Sequence, residues 1–239
     1  MSEDSKRNNS AEIRKNLSYL NEAIIACHLC PRLVAHRQYI GIYKKAKYSD
    51  WDYWARPVPG FGDPRAKLII VGLAPAAHGG NRTGRFFTGD PSASFLMDAL
   101  YQTGFASQPT SQSRDDGMEL RGAYITAAVR CVPPQDKPTS QEQHNCLPYL
   151  IAEMKILGLS GILALGHLAF KACLSALEEL STQKIKRTKF GHGNVYRLGT
   201  SLPLLFTSYH PSPRNTNTGK LKKDALVNVL NLIRRTIYQ

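Results

Sequence analysis

The chain has 239 residues, of which 42% are hydrophobic, so it can bury the core of one α/β domain. No segment approaches the roughly 20 apolar residues that cross a bilayer, and five cysteines are too few and too unevenly spaced for a secreted disulfide framework. Lys and Arg outnumber Asp and Glu by 31 to 18. We therefore expect a soluble, cytoplasmic protein that has no membrane partner.

The basic residues are unevenly placed along the chain. Residues 182–223 contain nine Lys and Arg and no acid, and residues 32–48 repeat this bias. One-sided charge favours a polyanionic partner such as nucleic acid, although a basic surface kept for solubility would give the same pattern.

Strand and helix signals alternate in chain order. Residues 1–9 are predicted to be a flexible tail and residues 10–239 a single domain. Helical spacing predicts a first helix over 11–26 with Ser10 as its N-cap, and a continuous apolar run predicts a buried strand at 67–73. A helix is expected at 92–104, a strand at 124–129, and a helix at 139–157 with Ser140 and Gln143 in capping-box spacing. The pattern continues with a strand at 161–165 and a helix that ends at 179. It is completed by strands at 194–198 and 202–208 and a helix at 221–238. It predicts helices on both faces of a mostly parallel sheet, with functional loops beyond the carboxyl ends of the strands.

Four of the five cysteines form two pairs, Cys27 with Cys30 and Cys131 with Cys146. Together they supply the four thiolates of a closed metal site, but their spacing does not choose between zinc and an iron–sulfur cluster. Four independent buried thiols are the simpler alternative, since cysteine is often buried. Cys173 lies on an apolar helical pattern and is predicted to belong to the core.

Two loops carry candidate functional residues. The loop after the first strand, residues 72–90 (GLAPAAHGGNRTGRFFTGD), lacks the glycine and lysine patterns of nucleotide-phosphate loops, and its small and aromatic residues suit a pocket for a planar polar ring. His210 ends a strand and begins a stiff loop with two prolines. Arg214, Asn215 and Lys220 follow it and offer donors to phosphate.

Three segments and the four paired cysteines resemble the family 5 (type B) members of the uracil-DNA glycosylase superfamily. The segments are residues 72–90, 125–134 (ITAAVRCVPP) and 210–219 (HPSPRNTNTG). The resemblance implies a three-layer α/β/α fold with a central, mostly parallel four-stranded sheet. It implies a structural [4Fe-4S] cluster on the four cysteines, with zinc as the alternative. It also implies a monomer that excises uracil, and other deaminated bases such as hypoxanthine, from DNA.

The resemblance also implies roles for individual residues. His210 would hydrogen bond the base oxygen on which charge develops, and Asp90 would position water or stabilise the sugar cation. Asp90 precedes a helix, so capping that helix is its simpler role. Phe87 would stack on the base, and Arg214 lies where superfamily members insert a residue into the duplex. Backbone groups between 72 and 76 would contact the base edge, which adds Gly72, Ala74 and Ala76 to the site.

Three positions depart from the uracil-specific families. Leu73, Ala74 and Ala127 stand where those families carry acidic or amide residues, so discrimination by hydrogen bonding should be weak and the base range broad. Asp136 stands where relatives often carry Asn, which leaves a catalytic role for it doubtful.

Two other classes fit parts of the sequence. A non-catalytic, metal-stabilised nucleic-acid-binding module would share the cysteines, the charge and the aromatics, but it would not need Asp90 or His210. A redox carrier would use a cluster for electron transfer and would not bind DNA.

Overall fold

A computed structural model describes the backbone of residues 3–181, 184–186 and 188–238, and the side chains of this part from Ser10 onward. Its α-helices are Glu3–Ile25 (α1), Pro31–Ile42 (α2), Gly80–Thr83 (α3), Pro91–Gln102 (α4), Ser140–Leu157 (α5), His167–Leu180 (α6), Pro213–Thr216 (α7) and Lys223–Ile237 (α8). Its strands are Phe61–Gly62 (β1), Leu68–Gly72 (β2), Ala123–Ala127 (β3), Gly161–Leu165 (β4), Val195–Tyr196 (β5) and Leu204–Ser208 (β6).

The strands form one sheet in the order β1-β3-β2-β4-β6-β5. The four central strands are parallel, as predicted, and the two-residue strands at the edges pair antiparallel. Gly72 pairs with Ala127 and Leu165 pairs with Ser208 at the carboxyl ends. The loops that follow β2, β3 and β6 therefore leave the sheet at the same edge.

Helices cover both faces of this sheet. One apolar core joins the central strands to α4 and α8 through residues such as Leu96 and Leu230. The other joins them to α1, α5 and α6 through residues such as Leu17, Leu150 and Phe170. The predicted three-layer α/β/α architecture is confirmed. Cys173 is fully buried in the second core, also as predicted.

Three local predictions were wrong. α1 begins at Glu3, inside the segment predicted to be a flexible tail, so Ser10 lies within the helix and does not cap it. The polar residues before Ser10 include no Pro or Gly that would stop a helix. The capping box of α5 uses Thr139 and Glu142, because Thr139 is the last extended residue and Ser140 is already helical. The predicted strand at 194–198 is reduced to Val195–Tyr196.

Residues 182, 183 and 187 of the basic segment lie outside the described residues. In the described part of the chain, no helix combines the length and the apolar character needed to cross a bilayer.

Candidate active site

A cavity of about 690 Å³ opens at the carboxyl edge of the sheet. The loop after β2 (residues 73–79), the start of α4 (residues 89–92) and the loop after β6 line it from different sides. Lys45, Lys47, Tyr48 and Asp136 complete the lining. The structure thus brings together the two loops that the sequence singled out.

The cavity holds several of the predicted site residues. Asp90, His210, Ala74 and Ala76 all line it. Asp136 reaches it from an exposed position in a turn, where Gln135 and Asp136 both have left-handed backbone angles, with φ of 55° and 56°.

Phe87 lies beside the cavity rather than in its lining, and it contacts two other predicted residues. Its ring centroid is 5.8 Å from that of His210, with the ring planes inclined by 31°. A Cβ at Gly72 would meet the Phe87 ring at 3.0 Å. Glycine at position 72 therefore lets the strand end approach the ring closely.

His210 is held by its own loop and by the neighbouring strand end. The side chain of Asn215 donates a hydrogen bond to the His210 carbonyl oxygen over 2.8 Å. Gly166, just after β4, lies against the His210 side chain, where an added Cβ would be 3.3 Å from the His210 Cβ. Burial lowers the pKa of His210 to about 4. The imidazole is neutral near pH 7 and can donate one N–H hydrogen bond.

Asp90 has two functions in the local structure. It is the N-cap of α4, where Oδ1 accepts a hydrogen bond from the Ala93 amide at 3.0 Å. Burial raises its pKa, against the opposing effects of the Ala93 and Ser92 amides and the Arg82 charge. A Cβ at Gly79 would lie 2.0 Å from Asp90 Oδ2. The capping role was the simpler prediction, and the structure shows it while keeping the carboxylate in the cavity.

Arg82 was missed by the sequence analysis although it organises this edge. Its guanidinium contacts two aromatic rings, 4.0 Å from the Tyr48 centroid and 3.9 Å from the Trp51 centroid. Its Nε donates to the His78 carbonyl at 2.7 Å and its Nη2 to the Gly89 carbonyl at 3.1 Å. Arg82 therefore fixes the two loops that flank the Asp90 carboxylate.

His78 and its partner Tyr53 were also missed. His78 lines the cavity, and its Nδ1 is 3.0 Å from the Tyr53 hydroxyl. Residues 39–54 are aromatic and basic without clear periodicity, so their sequence does not predict that Tyr48 and Tyr53 reach this side of the cavity.

The residues predicted to contact DNA lie outside the cavity lining. Arg214 is exposed on α7. Lys220 is exposed as well, with its ammonium 4.7 Å from the Tyr209 ring centroid. Asn215 is partly buried, and its amide supports His210 as described above.

The four paired cysteines are close to one another in space, and none of them lines the cavity, although Ala74 of the lining packs against their cluster. Cys30, Cys131 and Cys146 pack in one apolar cluster with Leu33 and Val129. All are free thiols. Among the described residues, no group of three or more His, Cys, Asp or Glu is arranged around the position of a single metal ion.

Hydrogen-bond donors surround these sulfurs. Arg37 Nη1 donates to Cys131 Sγ at 3.0 Å and to the Cys27 carbonyl at 3.4 Å. Asn145 donates to Cys30 Sγ at 3.4 Å, and the Tyr149 hydroxyl bonds to the Cys27 side chain. Burial raises the pKa of the Cys146 thiol to about 11. Donors of this kind suit thiolates whose charge is balanced by a bound cation or cluster.

The fold and the cavity together define an α/β protein with a carboxylate, a neutral imidazole and two lysines in one cavity. These are Asp90, His210, Lys45 and Lys47. The chain belongs to the uracil-DNA glycosylase superfamily, whose family profile matches residues 59–234.

Several curated relatives are named type-5 uracil-DNA glycosylase. The protein from Pyrobaculum aerophilum is 45% identical to this chain over 207 residues, which cover 87% of each chain. That of Thermus thermophilus is 44% identical and covers 87% of this chain and 93% of its own length. That of Mycobacterium bovis is 44% identical over 84% of this chain and 75% of its own.

Proposed function

We propose that this protein excises uracil from DNA by hydrolysing the N-glycosidic bond, leaving an abasic site. It is a hydrolase of N-glycosyl bonds by family membership, and its relatives' names support uracil as the base. One observation carries the assignment of the site: Asp90 and His210, which are 120 positions apart in the chain, line the same cavity.

The reaction begins with extrusion of the nucleotide, because the glycosidic bond is inaccessible inside a duplex. Flipping costs a few kcal/mol, and less for a mismatched pair. The extruded base enters beside Phe87, whose ring lies close to Gly72 and faces His210. Backbone groups between 72 and 76 contact the base edge.

His210 stabilises the departing base. As the bond breaks, the uracil oxygens gain negative charge while the sugar becomes cationic. The neutral imidazole donates a hydrogen bond to that oxygen, a preorganised contact of a type often worth about 3 kcal/mol. A neutral donor suits this position, since burial keeps the pKa of His210 at about 4.

Asp90 acts on the other side of the bond. Its ionised carboxylate positions the attacking water and stabilises the sugar cation. The Ala93 and Ser92 amides and Arg82 favour this ionised form, against the effect of burial. No covalent nucleophile is needed, and no lysine is assigned a lyase step.

The base range extends to other deaminated bases such as hypoxanthine. Leu73 and Ala74 line the cavity without a side-chain hydrogen-bonding group, and Ala127 is buried at the end of β3. Only backbone groups between residues 72 and 76 are therefore left to distinguish one base from another by hydrogen bonds to the base edge. Asp136 reaches the cavity from the surface and has no step in this mechanism.

The partner of the protein is DNA, which it binds as a monomer. The protein is cytoplasmic and is located at the nucleoid through its binding to DNA. Arg214 is exposed next to the His210 loop and enters the space vacated in the duplex. Lys220 holds a phosphate. The Asn215 amide donates one hydrogen to the His210 carbonyl, and its second hydrogen can be donated to a phosphate. Binding through phosphates makes the affinity fall steeply with salt.

The cysteines hold a structural [4Fe-4S] cluster. Cys27, Cys30, Cys131 and Cys146 would be its ligands, supported by the Arg37, Asn145 and Tyr149 contacts to sulfur. The cluster would fix the end of α1, the start of α2 and the loop after β3 relative to one another. Zinc on the same thiolates is the alternative.

Release of free base from a uracil-containing oligonucleotide tests the proposed function. The purified protein should release uracil at a rate that depends on enzyme concentration, and heat-denatured protein should not. Binding of DNA without base release would instead support the nucleic-acid-binding module, which family membership does not favour. Reversible reduction of the protein with no affinity for DNA would support the redox carrier.

A further inference from the structure

A second imidazole, that of His78, lines the cavity and has no role in the proposed mechanism. Tyr48 stacks near it with ring centroids 6.4 Å apart, and the Tyr53 ring meets it edge-on at 6.1 Å. Its Nδ1 is paired with the Tyr53 hydroxyl, whereas its Nε2 has no hydrogen-bond partner among the described residues. The ring is therefore fixed in place with one nitrogen unused.

The surroundings of Tyr53 set the direction of the bond to His78. Burial raises the pKa of Tyr53, and the nearby Arg82 charge and the Lys45 backbone amide oppose this rise. Within the described part of the chain, His78 Nδ1 is the one acceptor that the phenol hydrogen has, which favours Tyr53 as the donor in this bond. A neutral imidazole that accepts at Nδ1 carries its hydrogen at Nε2. His78 is thus a hydrogen-bond donor toward the cavity.

The charges around His78 indicate what it binds. Burial lowers its pKa, and Lys45, Arg82 and Lys47 lower it further, so the ring stays neutral near pH 7. Lys45 and Lys47 line the same cavity, and neither is in an ion pair among the described residues. Lys47 Nζ lies 4.6 Å from the Tyr48 ring centroid, and this contact does not neutralise its charge. Two ammonium groups outside any such ion pair, beside a neutral N–H donor, suit an anion with several acceptor oxygens better than an uncharged base.

We propose that His78 Nε2 donates a hydrogen bond to the phosphodiester adjoining the extruded nucleotide, and that Tyr53 selects the tautomer that permits it. The proposal rests on the proposed function, because it adds a contact to the same DNA substrate. His78 binds substrate directly, and Tyr53 is a positioning residue that acts through it.

Single-turnover uracil release tests this assignment. The half-saturating DNA concentration and the maximal rate would be measured for wild type, His78→Leu, His78→Gln and Tyr53→Phe. His78→Leu should raise half-saturation about tenfold to a hundredfold, as expected for loss of a hydrogen bond to a charged group. His78→Gln should recover most of this loss, because its amide can donate from a similar position. The half-saturating DNA concentration of Tyr53→Phe should lie between those of His78→Gln and His78→Leu, because both tautomers of His78 are then populated. Melting temperatures of the four proteins control for folding.

A second arm identifies the phosphate and does not depend on any variant's stability. One oligonucleotide carries an uncharged methylphosphonate on the 5′ side of the target nucleotide and another on the 3′ side. Wild type should bind one of them more weakly, and His78→Leu should lose nothing further on that substrate. The proposal would be overturned if the effect of His78→Leu multiplied the effect of the methylphosphonate on both oligonucleotides. It would also be overturned if His78→Leu behaved like wild type. A fall in maximal rate alone would also overturn it, because it would indicate contact with the reacting base or water. Failure of wild type to release uracil would instead contradict the proposed function.

Discussion

Phe87 and His210 face each other with ring centroids 5.8 Å apart, although they come from loops at the ends of different strands. The register of the parallel sheet produces this meeting, because β2 and β6 both pair with β4 and end at the same edge. A planar base that stacks on Phe87 lies within the reach of the His210 side chain. The proposed chemistry depends on this arrangement.

Asp90→Asn should lower the maximal rate of uracil release by about a hundredfold or more, as expected for loss of a catalytic carboxylate. The asparagine oxygen can still accept from the Ala93 amide, so the melting temperature should hardly change. Asp90→Ala should lose the rate and also about 1 kcal/mol of stability with the cap. Asp98→Asn, in the same helix, is the matched control. Loss of its ion pair with Lys223 should leave the rate near wild type, and equal rates for all four proteins would refute the role of Asp90.

The rate should depend on pH through Asp90. Burial raises its pKa, so uracil release should decline with acidification at a pH above the usual Asp value of about 4. No decline near pH 6.5 is expected from His210, which is already neutral there. A pH–rate profile under single-turnover conditions tests this, and Asp90→Asn should remove the acid decline. An inflection near 6.5 that vanished in His210→Gln would contradict it.

His210 should also make stability depend on pH. Its pKa is about 4 in the folded protein and about 6.5 when unfolded, so the unfolded state takes up the proton first. Stability contributed by the neutral ring is fully present above about pH 6.5 and is lost as the pH falls toward about 4. Urea unfolding of wild type and His210→Gln over this range should show a weaker dependence in the variant. Parallel curves would show that His210 does not contribute.

Much of this arrangement follows from local sequence signals, and the rest does not. The central strands are continuous apolar runs that need no distant partner to be recognised, and Cys173 follows a helical period. By contrast, β1 has two residues, too few to show a period. The contacts of Arg82 with Tyr48 and of His78 with Tyr53 join residues about 25 to 35 positions apart in an aperiodic segment. Such contacts become visible only when the loops are placed in space.

Cys131→Ser should remove the visible absorption expected near roughly 400 nm for an iron–sulfur cluster and should lower the melting temperature. Cys173→Ala is the matched control, since Cys173 is fully buried in the apolar core with no cysteine partner there. It should keep the absorption and lose only the stability of a small cavity. Iron and acid-labile sulfide should be present in equal amounts. A colourless protein with bound zinc would refute the cluster and leave the fold assignment intact.

Gly72→Ala should disturb Phe87 without unfolding the sheet. Its Cβ would meet the Phe87 ring at 3.0 Å, so the ring must move toward the space of the base. Uracil release should fall about tenfold, in line with a contribution of stacking of about 1 to 3 kcal/mol per base. Gly199→Ala is the control, because its Cβ would meet only the Leu202 side chain, at 3.3 Å. Equal losses in both variants would indicate a general effect on folding.

A crystal structure of Asp90→Asn bound to a duplex with a single uracil–guanine mismatch tests the central claim most directly. The account predicts an extruded uracil beside Phe87, with one of its oxygens within hydrogen-bonding distance of the His210 ring. A uracil that remained stacked in the duplex, or that occupied a site without His210, would contradict it.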